Sequence, residues 1–381
     1  MGIFRAVIFI LVAAMFFYIS QQLTRFADFP LWATMSIIGF LAILFLMVLS
    51  LPLFFWMKSS REHKAWHDTF FFFTHMAIAY INFLIVFVVL RDILGFAGQF
   101  MESPSLNDTL YGATGSLTTL LLPVLFIAVG TLVVRRGPRR IEVPIKFDNL
   151  PKDLEGLRIL HITDLHISRS LPTRFIHQLI KVAEEKPVDM VVYTGDILDD
   201  IPSRYVSDLE LLKKITSKYG SFFVPGNHEY YWDGTKSVPA FSKIGFNVLV
   251  NDSRTLKIGQ ADLQIWGVPD PAAKMFQLEG PDFKKIEQEM NPEAFKILLS
   301  HQPSLADIAA PLGIELQLSG HTHGGQFFPW NMLIGFFEKY GKGLYKIQNL
   351  QLYVNQGTGY WGPSLRLGTY CEVAEIVLQS K

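Results

Sequence analysis

One cysteine, Cys371, in 381 residues excludes an internal disulfide framework and a cysteine-rich zinc site. Any metal must therefore be held by His, Asp or Asn. Charge is also scarce: Lys and Arg number 34, Asp and Glu 34, together 18% of the chain, while half of all residues are hydrophobic. With no basic surplus, little is available to neutralise a nucleic-acid backbone, so no nucleic-acid partner is expected. No protein partner is predicted either. The scarcity is uneven, because only 12 of the charged side chains lie in the first 134 positions.

What fills that first part is apolar. Four stretches, 6–24, 29–57, 69–90 and 109–134, run for 19, 29, 22 and 26 residues without a charge, and a helix needs about 20 to cross a bilayer. Arg5 before an apolar core would also suit a signal peptide, but no small-residue cleavage site with a polar sequence behind it follows. The sequence thus predicts a four-helix transmembrane region over 1–134, a basic linker at 135–141 and a soluble domain over 142–381. If both termini share a side, that side carries Arg5, Lys58, Arg61, Lys64, Arg135, Arg136, Arg139 and Arg140 against Arg25 and Arg91 on the other. Positive residues stay inside, so a multi-pass protein with a cytoplasmic C-terminal domain is expected, the lipid bilayer being its first partner.

Beyond residue 141 short apolar runs alternate with amphipathic stretches, an α/β pattern. Buried strands are expected at 158–163, 190–194, 222–224, 297–299 and 315–318, and helices at 173–185, 206–219 and 283–290. From 246 to 268 and from 351 to 378 the alternation suits antiparallel strands. Every one of the five runs ends in residues of metal-binding type: Asp164-Leu165-His166, Gly195-Asp196, Gly226-Asn227-His228-Glu229, His301, and Gly320-His321-Thr322-His323. Loops beyond the carboxyl ends of such strands converge on one crevice.

These five ordered blocks resemble the calcineurin-like metallophosphoesterases. The apolar N-terminal part, Gly324-Gly325-Gln326-Phe327-Phe328-Pro329 and Gly357-Thr358-Gly359-Tyr360-Trp361-Gly362-Pro363 are similar to the branch called transmembrane protein with metallophosphoesterase domain. The resemblance implies an αββα sandwich and a phosphoester hydrolase with two divalent metal ions. It places Asp164, His166 and His323 on one metal, Asn227, His301 and His321 on the other, and Asp196 between them. It makes His228 the general acid. Mixed nitrogen and oxygen ligands suit Mn, Fe or Zn better than Mg. A metal-activated hydroxide would then attack phosphorus in line.

Four expectations concern the surroundings. His161 reads as a packed histidine rather than a third-site ligand, and Asp199 and Asp200 as a solvated turn. Arg366 is a candidate for the substrate phosphate, with a surface ion pair as the alternative. Phe328 and Trp330, in the apolar run 327–337, are candidates for binding the acyl part of a lipid-linked phosphoester unless that run packs on its own domain. Competing functions are a nucleotide-linked lipid pyrophosphohydrolase, resembling the UDP-diacylglucosamine hydrolases, and a catalytically silent membrane sensor or scaffold. A transporter is disfavoured because the apolar stretches hold almost no ionisable residues.

Overall fold

The computed structural model describes residues 2–58, 65–100 and 104–381. They form two compact units, Met1–Leu132 with Gly362–Ser364, and Val133–Trp361 with Leu365–Lys381. The first is helical: α1 (Gly2–Thr24), α2 (Leu31–Lys58), α3 (Ala65–Phe100), α4 (Pro104–Tyr111) and α5 (Ala113–Arg135). Its helices pack through Ile19, Leu23, Leu41, Phe45, Tyr80, Leu84 and Val88, while Leu31, Trp32, Phe96 and Leu121 face outward. Helices apolar on all sides are what a lipid environment requires. Among the described residues three are long and apolar enough to cross a membrane, within Leu31–Leu51, Trp66–Phe100 and Ala113–Arg135; in α1 the apolar part is the shorter Phe9–Thr24.

The third span differs from expectation. Helix α3 continues through Arg91 to Phe100, so Arg91 is no loop charge. It is buried, and its Nη2 donates to the Gln22 carbonyl at 2.8 Å and to Gln22 Oε1 at 3.2 Å, fastening α3 to α1. Asp92 beside it accepts from the Tyr18 hydroxyl. Arg91 thus drops out of the flanking-charge comparison. Arg61 and Lys64 lie outside the described residues.

The second unit holds twelve strands: β1 (Arg139–Phe147), β2 (Arg158–Ile162), β3 (Met190–Thr194), β4 (Ser221–Val224), β5 (Asn247–Val248), β6 (Asp252–Ile258), β7 (Ala261–Gly267), β8 (Phe295–Leu299), β9 (Leu316–Ser319), β10 (Gly343–Ile347), β11 (Leu350–Val354) and β12 (Glu372–Ser380). They make two six-stranded sheets ordered β1-β12-β2-β3-β4-β5 and β10-β11-β9-β8-β7-β6. Ile159, Val192, Phe222 and Ile376 of one sheet pack against Leu263, Ile297, Leu316 and Tyr353 of the other. The outer face of the first sheet is covered by α6 (Thr173–Ala183), α7 (Val206–Leu211) and, beyond the short α8 (Asn227–Tyr231), α9 (Gly234–Lys243). The outer face of the second is covered by α10 (Phe283–Glu289) and α11 (Ala306–Ala309). A last helix, α12, spans Trp330–Phe337. Helices flanking paired sheets give the mixed α/β architecture its layers.

The five expected strands correspond to β2, β3, β4, β8 and β9, which run parallel within their sheets. The expected antiparallel stretches are mixed: β6 and β7 form a hairpin, but β12 lies parallel to β1 on one side and antiparallel to β2 on the other. Strand β1 takes up Arg139 and Arg140 of the basic run. Its polar alternation and Pro144 suit the sheet edge that it occupies.

Candidate metal centre

Parallel strands all end on one side, so the segments after β2, β3, β4, β8 and β9 meet there. Backbone hydrogen bonds stitch them together: Asp164 N–H to Gly195 O at 3.0 Å, His166 N–H to Asp196 O at 3.0 Å and Gly320 N–H to His301 O at 3.1 Å. Asp164, His166, Asp196, His321 and His323 all adopt positive φ, between 51° and 73°. That region is costly for a residue with a side chain, and it is tolerated where function requires it. Gly226 and Gly320 are needed for a different reason: a Cβ on either would overlap the carboxylate of Asp196 or Asp164.

The seven residues expected to hold metal come together: Asp164, His166 and His323 form one group of donor atoms, Asp196, His301 and His321 a second, and His166, Asp196 and His228 a third between them, with Asn227 Oδ1 beside the second. In the first half-site, His166 Nε2 and His323 Nε2 lie 3.0 Å apart, and His323 Nε2 is 3.5 Å from Asp164 Oδ1. In the second, His301 Nε2 is 3.1 Å from Asn227 Oδ1 and 3.2 Å from His321 Nδ1. Asp196 Oδ2 sits between them, 3.8 Å from His166 Nε2 and 3.3 Å from His301 Nε2. His301 donates its Nδ1–H to the Thr194 carbonyl at 2.8 Å, which turns Nε2 toward two oxygens and another nitrogen. Crowded acceptors facing one another are stabilised by positive charge, so these residues fit divalent cations.

The protonation states of His321, His323 and Asp196 agree. Burial pushes His321 down to about 4 and, with His166 nearby, holds His323 well below its usual value. Both rings are neutral at pH 7 and can act as ligands. Burial opposes ionisation of Asp196, but His301 and His228 hold its carboxyl well below the ordinary range. His301 is the converse: burial opposes its charge, yet Asp196 raises it well above the ordinary value, so that without a cation its Nε2 carries a proton toward Asp196, which a bound cation would displace.

His228 is differently placed. Its backbone N–H donates to Asp196 Oδ1 at 2.9 Å, while its Nδ1 meets Asp199 Oδ1 at 2.7 Å. Burial disfavours the imidazolium, but Asp199 and Asp196 outweigh it and push the pKa up to about 9. A ring protonated at neutral pH, with Nε2 free of Asp199, can donate a proton to a departing oxygen.

Two carboxylates reverse the sequence expectation. Asp199 is no solvated turn residue: it accepts from His228 and, at 2.6 Å, from Trp232 Nε1. Asp200 is buried and accepts from the Ile201 N–H and Arg204 Nη1. Glu229 is a third residue with an unanticipated part. It is buried and accepts the N–H groups of Asp196, Ile197, Leu198 and Gly226 at 2.7 to 2.9 Å, bracing the Asp196 loop against the Asn227 turn. The signal was the spacing of acids around Gly-Asp and Gly-Asn-His, which cannot reveal which oxygens meet which amides.

Arg366 makes no surface ion pair. It is 0% exposed, donating from Nε to Gly359 O at 2.8 Å and from Nη1 to His323 O at 3.2 Å, with Nη2 3.3 Å from His323 Nδ1. These bonds make it a support for the His323 loop instead of a group offered to a phosphate. His161 is packed as expected: its Nε2 lies 2.7 Å from Thr194 Oγ1, and burial pushes its pKa down to about 3. The run 327–337 is not a loop. Phe327 is buried and Phe328 half-buried, but α12 from Trp330 onward has no buried residue, and Phe336 is 83% exposed.

The sequence has counterparts. The family model for the calcineurin-like phosphoesterase domain matches residues 157–325. An uncharacterized metallophosphoesterase of Campylobacter jejuni is 34% identical over 266 residues, 70% of either chain. One from Helicobacter pylori is 32% identical over 313 residues, 80% of this chain and 81% of its own. A transmembrane protein with metallophosphoesterase domain from Danio rerio is 31% identical over 281 residues, 70% of this chain and 64% of that one. Relatives matched over so much of their length, with all five motif blocks inside the aligned domain, leave one assignment: the chain belongs to the calcineurin-like metallophosphoesterases and is a phosphoester hydrolase.

Proposed function

We propose that this is a membrane-anchored phosphohydrolase in which Asp164, His166 and His323 hold one divalent cation, Asn227, His301 and His321 a second, and Asp196 both. The observation that carries this reading is the convergence of His301 Nε2 with Asn227 Oδ1, His321 Nδ1 and Asp196 Oδ2, at 3.1 to 3.3 Å, on a ring anchored from behind by the Thr194 carbonyl. When bound, such a pair supplies Lewis acidity toward a phosphoryl group and an activated water. The nitrogen-rich donor set favours Mn, Fe or Zn. Asp199 keeps His228 protonated and oriented, so that its Nε2–H can be given to the leaving oxygen. Glu229 and Arg366 hold the two ligand loops in place.

The substrate in this proposal is amphiphilic. Tyr231 and Trp361 stand 5.2 and 5.8 Å from the His228 ring, Phe276 packs on Tyr231, and all three are exposed. A polar centre rimmed by exposed apolar groups suits a phosphoester attached to an acyl or other apolar group. Helix α12, beginning seven residues after His323, exposes the apolar side chains Trp330, Met332, Phe336 and Phe337. Trp330→Asp with Phe336→Asp, both solvent-facing, should depress hydrolysis of a long-chain phosphodiester in mixed micelles while sparing a short-chain soluble diester. Equal rates on the two substrates would remove the apolar strip from the account.

The domain faces the cytoplasm in this reading, because Arg135 at the end of the last candidate span and Arg136 and Arg139 after it are exposed. Arg140 does not contribute, being buried against Glu375 at 2.8 Å. A reporter fused after Lys381 should be active only if its chemistry works in the cytoplasm. Activity of a reporter that requires export would place the domain outside.

A further inference from the structure

Whatever surrounds the His228 ring also surrounds the group that takes its proton. His228 Nε2 lies 3.9 Å from Asp196 Oδ2, and the ring stands 4.7 Å from that of His166, so the imidazole flanks the metal-binding side chains directly. A departing oxygen that receives a proton from Nε2 comes within roughly 2.6 to 3.2 Å of it. The first carbons of the leaving group therefore pass beside the imidazole.

What they meet there is aromatic. The rings of Tyr231 and Trp361 stand 5.2 and 5.8 Å from that of His228, and Phe276 stands 6.1 Å from Tyr231. All three are exposed, so an apolar group laid against them removes apolar surface from water on both partners. The Trp361 side of this wall is fixed by Gln326, which is buried and grips the Trp361 backbone at two points. Its Nε2 donates to the Trp361 carbonyl at 2.9 Å, and its Oε1 accepts the Trp361 N–H at 3.0 Å. On the other side Tyr231 follows His228 within α8 at the spacing that puts two side chains on one helix face. At the second half-site the surroundings change character, since His321 Nε2 has a polar neighbour, the Gln302 side-chain amide at 3.2 Å.

We infer that the apolar part of the substrate is the group that leaves, and that Tyr231 and Trp361 are the specificity-determining residues that select it. This orientation rests on His228 as the proton donor and on an amphiphilic substrate. Water forms a new P–O bond while the P–O bond to the apolar alcohol breaks. His228 Nε2 gives its proton to the departing oxygen and regains one from the attacking water. The products are an apolar alcohol and the phosphomonoester of the polar alcohol. The opposite orientation would release the polar alcohol and leave the apolar group phosphorylated.

The test is product analysis on hexadecyl methyl phosphate in mixed micelles, using the full-length chain loaded with Mn2+. Two primary alkoxides leave almost equally readily, so the product ratio reports what surrounds the leaving oxygen. Hexadecanol with methyl phosphate should exceed methanol with hexadecyl phosphate by about 10-fold or more, the range in which apolar contacts discriminate. Tyr231→Ser with Trp361→Ser should bring the ratio toward parity; circular dichroism checks its folding, and Trp361→Ser alone replaces it if the pair does not fold. Methanol as the main product, parity in wild type, or a ratio that the serine variants leave unchanged would overturn the orientation while an amphiphilic substrate stands. No hydrolysis of this ester by a chain that hydrolyses bis(p-nitrophenyl) phosphate would overturn both.

Discussion

Asp196→Asn is expected to lower phosphodiester turnover on the order of 10³-fold and to reduce bound metal from two ions per chain to one or none. The substitution removes the one carboxylate whose Oδ2 faces both half-sites, His166 at 3.8 Å and His301 at 3.3 Å. Losing several kcal/mol of charge stabilisation at about 1.4 kcal/mol per decade gives that magnitude. The asparagine keeps the size of the side chain, and its Oδ1 can still accept the His228 N–H. Folding should therefore survive. Metal analysis by plasma mass spectrometry, run beside the rate assay, checks the outcome; two ions with full turnover would remove Asp196 from the bridging position.

The second large effect concerns His228, which should matter in proportion to how poorly the departing group leaves. His228→Ala is expected to slow an alkyl phosphoester by about 10²- to 10⁴-fold, the usual range for a lost general acid. A nitrophenyl ester, whose phenolate departs unprotonated, should lose much less. The pH profile gives an independent check. An acid works only while protonated, so turnover should fall as pH rises through the His228 pKa of about 9. Asp199 raises that pKa, so Asp199→Asn should move the alkaline limb to lower pH, and His228→Ala should abolish the limb. Equal losses on both esters with an unmoved limb would make His228 a binding residue.

The sequence made the site legible because each half of the argument was local. Strands β2, β3, β8 and β9 are short, apolar and buried, and the ligands follow them within a few residues. What periodicity could not show was pairing across the fold. The first residues of strand β1, 139–141, read as part of a basic linker because the partner strand, β12, lies more than 200 positions away. Arg366 reads as a phosphate-binding candidate or a surface ion pair because nothing nearby in sequence announces that the Gly359 and His323 carbonyls accept from it. The same holds for Asp199 and Glu229, whose acceptor roles depend on a turn 30 residues distant. Helix α12 was hidden for another reason: its run is apolar throughout, so no period separates a buried loop from an exposed helix.

The central claim is that these seven residues hold two catalytic cations, and one measurement addresses it directly. The purified full-length chain should contain two divalent ions per molecule and hydrolyse bis(p-nitrophenyl) phosphate, lose both ions and turnover together on chelation, and regain both with Mn2+ in a 2:1 ratio. Turnover that persists after the ions are stripped, or a chain that binds two ions and hydrolyses no phosphoester, would contradict it.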